Sequence, residues 1–230
     1  MTEKAPSLDD FTPTAGTRRG LTLARAVAEE RVGAPRVLLL AGPAGIGKTH
    51  LLRAAVGEGS GGRPKRARVY VTARDAGEAL VAALKRGEAG TDSLGWKGAD
   101  LIVLDDLQGL AALPMTQAEI ARQLQTAIAA GSRVLAAASG SLSELEPFVA
   151  RLRQVSGFAL LTLEPPTNRE LQWILTRMIR REGERLDRPV ITTLAASSAG
   201  DVRRAVGALN GYRFTRELRA QRGTPVNSRS

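Results

Sequence analysis

Gly42-Pro43-Ala44-Gly45-Ile46-Gly47-Lys48-Thr49 is the segment whose residue types and spacing most plainly carry chemistry. It fits the pattern GxxxxGK[ST], in which glycines let consecutive backbone N–H groups close around phosphate oxygens. In that pattern Lys48 reaches the β- and γ-phosphates of a nucleotide and the Thr49 hydroxyl binds Mg²⁺. His50 follows in the same nucleotide-binding segment and reads as a packing residue rather than a catalyst. A second cluster ends the apolar run Leu101-Ile-Val-Leu: Asp105 to hold Mg²⁺ through its shell, Asp106 to orient or activate the attacking water. Ser139 ends another apolar run, where a polar group can contact the terminal phosphate or the water; the alternative is an ordinary strand-end serine. Arg203, in Gly200-Asp-Val-Arg-Arg204, opens a helix and either meets the γ-phosphate or is a solvated helix arginine. The cofactors these residues call for are ATP or ADP with Mg²⁺.

Such chemistry needs a phosphate loop held between a strand and a helix, and the flanking sequence supplies both. Residues 36–41 form a continuous apolar run bounded by turn residues, the mark of a strand buried on both faces. A helix is expected from Thr49 to Val56, then a Gly- and Pro-rich loop over residues 57–65. Further strands are expected at 67–72, 101–105, 133–138 and 158–163, with helices over 17–32, 75–86 and 116–130. Strands alternating with helices imply an α/β fold, a five-stranded parallel sheet with flanking helices. The pattern changes at Glu164-Pro-Pro166, beyond which three helical segments remain, near 168–182, 189–197 and 201–218. The expected organisation is an extended leader (1–16), a nucleotide-binding α/β domain (17–164), a small three-helix lid (165–220) and a disordered tail (221–230).

Composition removes several other classes. There are no cysteines and one histidine, so disulfides, thiolate metal sites and His-rich zinc sites are excluded. No apolar stretch reaches the ~18 residues of a membrane span, and residues 1–10 lack a signal-peptide core. The expectation is a cytoplasmic protein with no membrane partner. A formal charge of +10 implies attraction to polyanions, although an arginine-favouring genome gives the same excess. Aromatics at 3% argue against a platform of exposed rings for stacking bases. The basic clusters at residues 63–68 and 213–222 read as solvated surface or phosphate contacts.

Five segments together resemble one family: Leu8-Asp-Asp-Phe11, Gly45-Ile-Gly-Lys-Thr-His-Leu-Leu52, Val69-Tyr-Val-Thr72, Leu104-Asp-Asp-Leu-Gln108 and Asp201-Val-Arg-Arg-Ala-Val-Gly-Ala-Leu-Asn210. They are similar to the AAA+ domain of the bacterial replication initiator DnaA and its shorter relative Hda, from about residue 8 to residue 212. The resemblance implies nucleotide bound between the α/β domain and the lid, with Lys48, Thr49, Asp105 and Asp106 at the family's Walker positions. It implies sensor roles for Ser139 and Arg203 and an adenine near residues 11–16. It also implies slow ATP turnover, with ATP as a state label in DNA replication initiation. The partners implied are an initiator or a replicative helicase, with single-stranded DNA and nucleotide-dependent self-association as further expectations.

Departures from the family pattern matter too. The arginine-finger position falls on Val155 beside Gln154, with Arg153 and Arg151 the nearest arginines. Ser139 stands where the initiators carry an acidic residue. No helix-turn-helix module follows Asn210, so duplex origin recognition by that module is not expected. A clamp-binding peptide of the Hda kind is not recognisable in the leader. Three rival readings stay open: a DnaC-like helicase loader, which shares the Gly-Lys-Thr-His segment, a degenerate AAA+ adaptor that docks a partner without hydrolysis, and a bare ATPase core cut from a larger initiator.

Overall fold

The structure, a computed structural model, describes residues 7–57, 67–88, 90 and 92–222, with side chains described to residue 218. Most of the expected loop at 57–65, the start of the leader and the end of the tail lie outside the described residues. By internal contacts the chain divides into two compact units after Glu164.

The first unit is built on five parallel strands in the order β2-β3-β4-β1-β5. They are β1 (Val37–Gly42), β2 (Arg68–Thr72), β3 (Leu101–Asp105), β4 (Arg133–Ser139) and β5 (Phe158–Thr162). The period of two along a strand divides its side chains between two cores. Leu39, Ile102, Leu104, Val134 and Ala136 point to one face, where they meet residues of α3 (Ala73–Lys85), α4 (Pro114–Ala129) and α5 (Glu146–Arg153). Leu38, Leu40, Leu101, Val103 and Leu135 point to the other, against α1 (Arg18–Ala28) and α2 (Lys48–Gly57). Both faces are covered, which is why these strands read as unbroken apolar runs.

Three local features differ from expectation. Helix α1 stops at Ala28, although apolar residues continue at helical spacing to Val32. Glu30 adopts a left-handed φ of 56°, and the N–H groups of Glu30 and Arg31 return to the carbonyls of Val27 and Ala26, a Schellman ending. Val32 is consequently fully exposed. The α5 helix is an addition, a two-turn element that anchors Phe148 and Leu152 in the first core. Residues 7–16, expected as a leader, contain a turn at 8–10 and bury Leu8 and Phe11 in the second core.

The second unit comprises α6 (Asn168–Arg181), α7 (Arg188–Ala196) and α8 (Val202–Arg222). Thr167 and Glu170 form a capping box at the start of α6, each side chain satisfying the other's backbone N–H. Leu171, Ile174, Leu175 and Ile179 of α6 pack against Ile191, Ala195, Ala205 and Leu209. The turn into α8 uses Gly200 at φ +83°, after which the Asp201 carboxylate accepts from the Arg204 N–H. That Asx cap explains the Gly-Asp pair ahead of Arg203.

Candidate nucleotide-binding site

A parallel sheet brings the C-terminal ends of its strands to one edge, where loops can gather functional groups. Here β1 runs into the Gly42–Lys48 loop, β3 ends on Asp105 and β4 ends on Ser139. Strand β4 lies between β3 and β1, and Ser139 is in register with Gly42. The sequence-expected residues Lys48, Asp105 and Ser139 thus share one edge of the first unit.

The loop is shaped by glycine at the positions where other residues would not fit. Gly42 has φ 151°, and a Cβ there would come within 2.7 Å of both the Ile46 side chain and the Leu163 carbonyl. Gly47 has φ 98°, and its added Cβ would press on the Phe11 ring at 3.2 Å. Pro43 and Ala44 are exposed, Gly45 is left-handed, and Ile46 is buried as the loop's apolar anchor. Helix α2 begins at Lys48, so the positive end of its dipole faces this loop. The Lys48 side chain is only 6% exposed, and its ammonium donates to the carbonyls of Gly42 at 2.9 Å and Pro43 at 2.7 Å. A buried ammonium curled over its own glycine loop is a built cation site, and anionic oxygens are its complement. Thr49 is part-buried on the first turn of α2; His50 is exposed, its ring centroid 5.8 Å from that of Phe11.

Asp105 is 4% exposed, and both its oxygens are engaged: Oδ1 accepts from the Asp106 N–H at 2.9 Å and Oδ2 from the Tyr70 hydroxyl at 2.8 Å. Tyr70 in turn accepts from Arg53 Nε of α2 at 3.3 Å. Burial pushes the Tyr70 phenol above its ordinary range, and the hydrogen bond with Tyr70 raises the Arg53 guanidinium. Asp106 is exposed, in the left-handed region at φ 59°, and precedes a 3-10 turn over Leu107–Leu110. From that turn Gln108 Oε1 accepts the Ser139 N–H at 2.8 Å, tying the segment after β3 to the end of β4.

No sequence motif marks Tyr70, Arg53 or Gln108 as part of this cluster. For Tyr70 the signal is register: Thr72 pairs with Asp105, so Tyr70, two residues earlier in β2, shares Asp105's face of the sheet. Arg203 is exposed on the first turn of α8, in the second unit. Val155, at the expected finger position, packs against the first core, while Arg153 is exposed and donates to Glu146 at 2.9 Å. Of the basic clusters, Arg68 is drawn into the fold, donating to the carbonyls of Ala55 and Ala28 at 2.7 Å each. Arg213 is ion-paired with Glu182 and Glu184. Among the described residues no helix is long and apolar enough to cross a membrane.

A β2-β3-β4-β1-β5 parallel sheet with a glycine loop after β1, an acidic end on β3 and a three-helix second unit is the architecture of AAA+ nucleotide-binding proteins. The model of the bacterial DnaA ATPase domain matches residues 3–162, and the chain belongs to that family. The chromosomal replication initiator protein DnaA of Rickettsia bellii (strain RML369-C) is 28% identical over 207 residues, covering 89% of this chain and 45% of that protein. The chain thus spans less than half the length of the curated relatives it matches. Domain III of the Thermotoga maritima replication initiation protein DnaA superposes with a TM-score of 0.83 at 22% identity, covering 95% of this chain and 91% of that one. A replication initiator DnaA bound to AMPPCP and single-stranded DNA gives a TM-score of 0.77 at 25% identity, covering 94% and 69%.

Proposed function

We propose that this chain is an ATP-binding, nucleotide-switched factor of DNA replication initiation, with its nucleotide at the Gly42–Thr49 loop. The observation that carries the reading is the buried Lys48 ammonium held over the carbonyls of Gly42 and Pro43 in a loop no larger residue could form. When bound, ATP supplies the phosphoanhydride bond, and Mg²⁺ supplies charge neutralisation on its phosphates. The loop N–H groups and Lys48 bind the β- and γ-phosphates. Thr49 and Asp105 would hold the ion, and so few protein ligands suit Mg²⁺, which binds largely through waters and phosphate oxygens. Asp106 orients the attacking water and takes its proton, and Ser139 contacts the water or terminal phosphate. Phe11 and His50, beside Gly47, border the loop on the side of the base. Arg203 reports the presence of the terminal phosphate to the second unit, and hydrolysis is slow.

The partner is a replication protein, an initiator or a replicative helicase, with single-stranded DNA as a second ligand. Light-scattering mass measured with ATP, with ADP and without nucleotide, each with and without a single-stranded oligonucleotide, tests the switch. Growth into an assembly only with ATP is expected. A constant mass in every condition contradicts a self-assembling switch and favours the adaptor reading, which has one observation behind it: the finger position is a core-packed Val155.

A further inference from the structure

Three side chains from three elements of the first unit, Arg53 of α2, Tyr70 of β2 and Asp105 of β3, meet on the sheet face covered by α2. Tyr70 and Thr72 of β2 are in register with Val103 and Asp105 of β3, and parallel partners in register share a face. Val103 belongs to the second core and Tyr70 packs against that core, so Asp105 lies on the same side as the helix that follows the phosphate loop. The phenol of Tyr70 is long enough to span the two residues along the strands. Its hydroxyl therefore reaches Asp105 Oδ2 rather than stopping at Val103.

We propose that Tyr70 is a positioning residue for the Asp105 carboxylate and that Arg53 positions Tyr70 in turn. The assignment rests on the reading of Asp105 as the carboxylate that holds Mg²⁺. A carboxylate with two oxygens accepts about four hydrogen bonds. Asp105 spends one on the Asp106 N–H and one on the Tyr70 hydroxyl, one per oxygen. Two donors on different oxygens fix the plane of the group, and each oxygen keeps acceptor capacity for metal-bound water. Metal-holding carboxylates are themselves hydrogen-bonded in this way, and the outer partner sets their orientation. Arg53 Nε donates to the Tyr70 oxygen, and the guanidinium carbon lies 5.4 Å from the ring centroid. With that oxygen accepting from Arg53, the Tyr70 O–H is directed at Asp105. The chain Arg53–Tyr70–Asp105 thus joins the phosphate-loop helix to the acidic strand end through side chains alone.

Tyr70→Phe keeps the ring and removes only the donor. Affinity for ATP is measured by titration calorimetry in EDTA and across a Mg²⁺ series, for the wild-type chain, Tyr70→Phe and Arg53→Met. In EDTA the three are expected to agree within about twofold, because the phosphate loop is untouched. The Mg²⁺ concentration giving half of the magnesium-dependent gain is expected to rise about tenfold in Tyr70→Phe. A smaller rise in the same direction is expected for Arg53→Met. Arg53 is exposed, so its variant carries the test should Tyr70→Phe not fold. A merely structural tyrosine would shift affinity equally with and without metal. Wild-type midpoints in both variants overturn the positioning role while leaving nucleotide binding intact. No magnesium-dependent gain in the wild-type protein overturns the metal reading of Asp105, and this assignment with it.

Discussion

The two units hold the residues proposed for the site in opposite ways. In the first, Lys48 and Asp105 are almost completely buried and their polar atoms are fixed by named partners: the carbonyls of Gly42 and Pro43, the Tyr70 hydroxyl and the Asp106 N–H. In the second, Arg203 stands exposed on a helix whose first turn is capped by the Asp201 carboxylate. A half-buried arginine there stacks locally, Arg177 over Trp173 at 5.9 Å. A fixed, desolvated site suits binding and chemistry, because its groups need no reorganisation. An arginine on a surface helix suits a sensor, which must make its contact in one state and give it up in another.

The sharpest way to break this contrast is to loosen the second unit alone. Leu175, fully buried in the small core of α6–α8, is expected to cost about 2–5 kcal/mol on truncation to alanine. That approaches the whole stability available to a core of this size. Limited proteolysis of Leu175→Ala should degrade the chain beyond Glu164 while a fragment containing the sheet survives. Cooperative loss of both units would contradict their separate cores. Within the first unit, Asp106→Asn should keep ATP affinity within about threefold and slow hydrolysis about 100-fold, read in single-turnover assays. Arg203→Ala should lower discrimination between ATP and ADP about tenfold with little change in ADP affinity, measured by competition. The same change at Arg204 should leave both unaltered.

The smallest effect concerns a half-buried pair. Arg122 holds the Glu119 carboxyl below its ordinary range by hydrogen bonding. A carboxylate depressed in the folded state stabilises above its unfolded pKa, and that contribution disappears as pH falls through the folded value. Because both side chains are about a third exposed, Glu119→Gln should cost only about half a kcal/mol near neutrality. The difference should begin to shrink near pH 4, the ordinary carboxylate range, and vanish only below the depressed folded value, in urea melts.

Much of this was readable from the chain because the sheet is covered on both faces. Continuous apolar runs located β1, β3 and β4, and the glycine loop and paired aspartates pointed to the proposed site without any tertiary information. What was hidden depends on pairing across the sheet or on backbone handedness. Tyr70 and Asp105 are 35 positions apart, and only the β2–β3 register makes them partners. Glu30 ends α1 by taking a left-handed conformation that its residue type gives no reason to expect. The charge count likewise said nothing of Arg68 and Arg213, which the fold spends internally on carbonyls and carboxylates.

The most direct test of the account is an ATP titration, by calorimetry in Mg²⁺, of the wild-type chain and Lys48→Ala at matched stability. The wild type should bind one ATP, and Lys48→Ala should lose binding by about 100-fold or more, the fingerprint of losing a charge-assisted phosphate contact. Equal affinity in the two proteins would contradict the placement of the nucleotide at the Gly42–Thr49 loop, and with it the proposed switch.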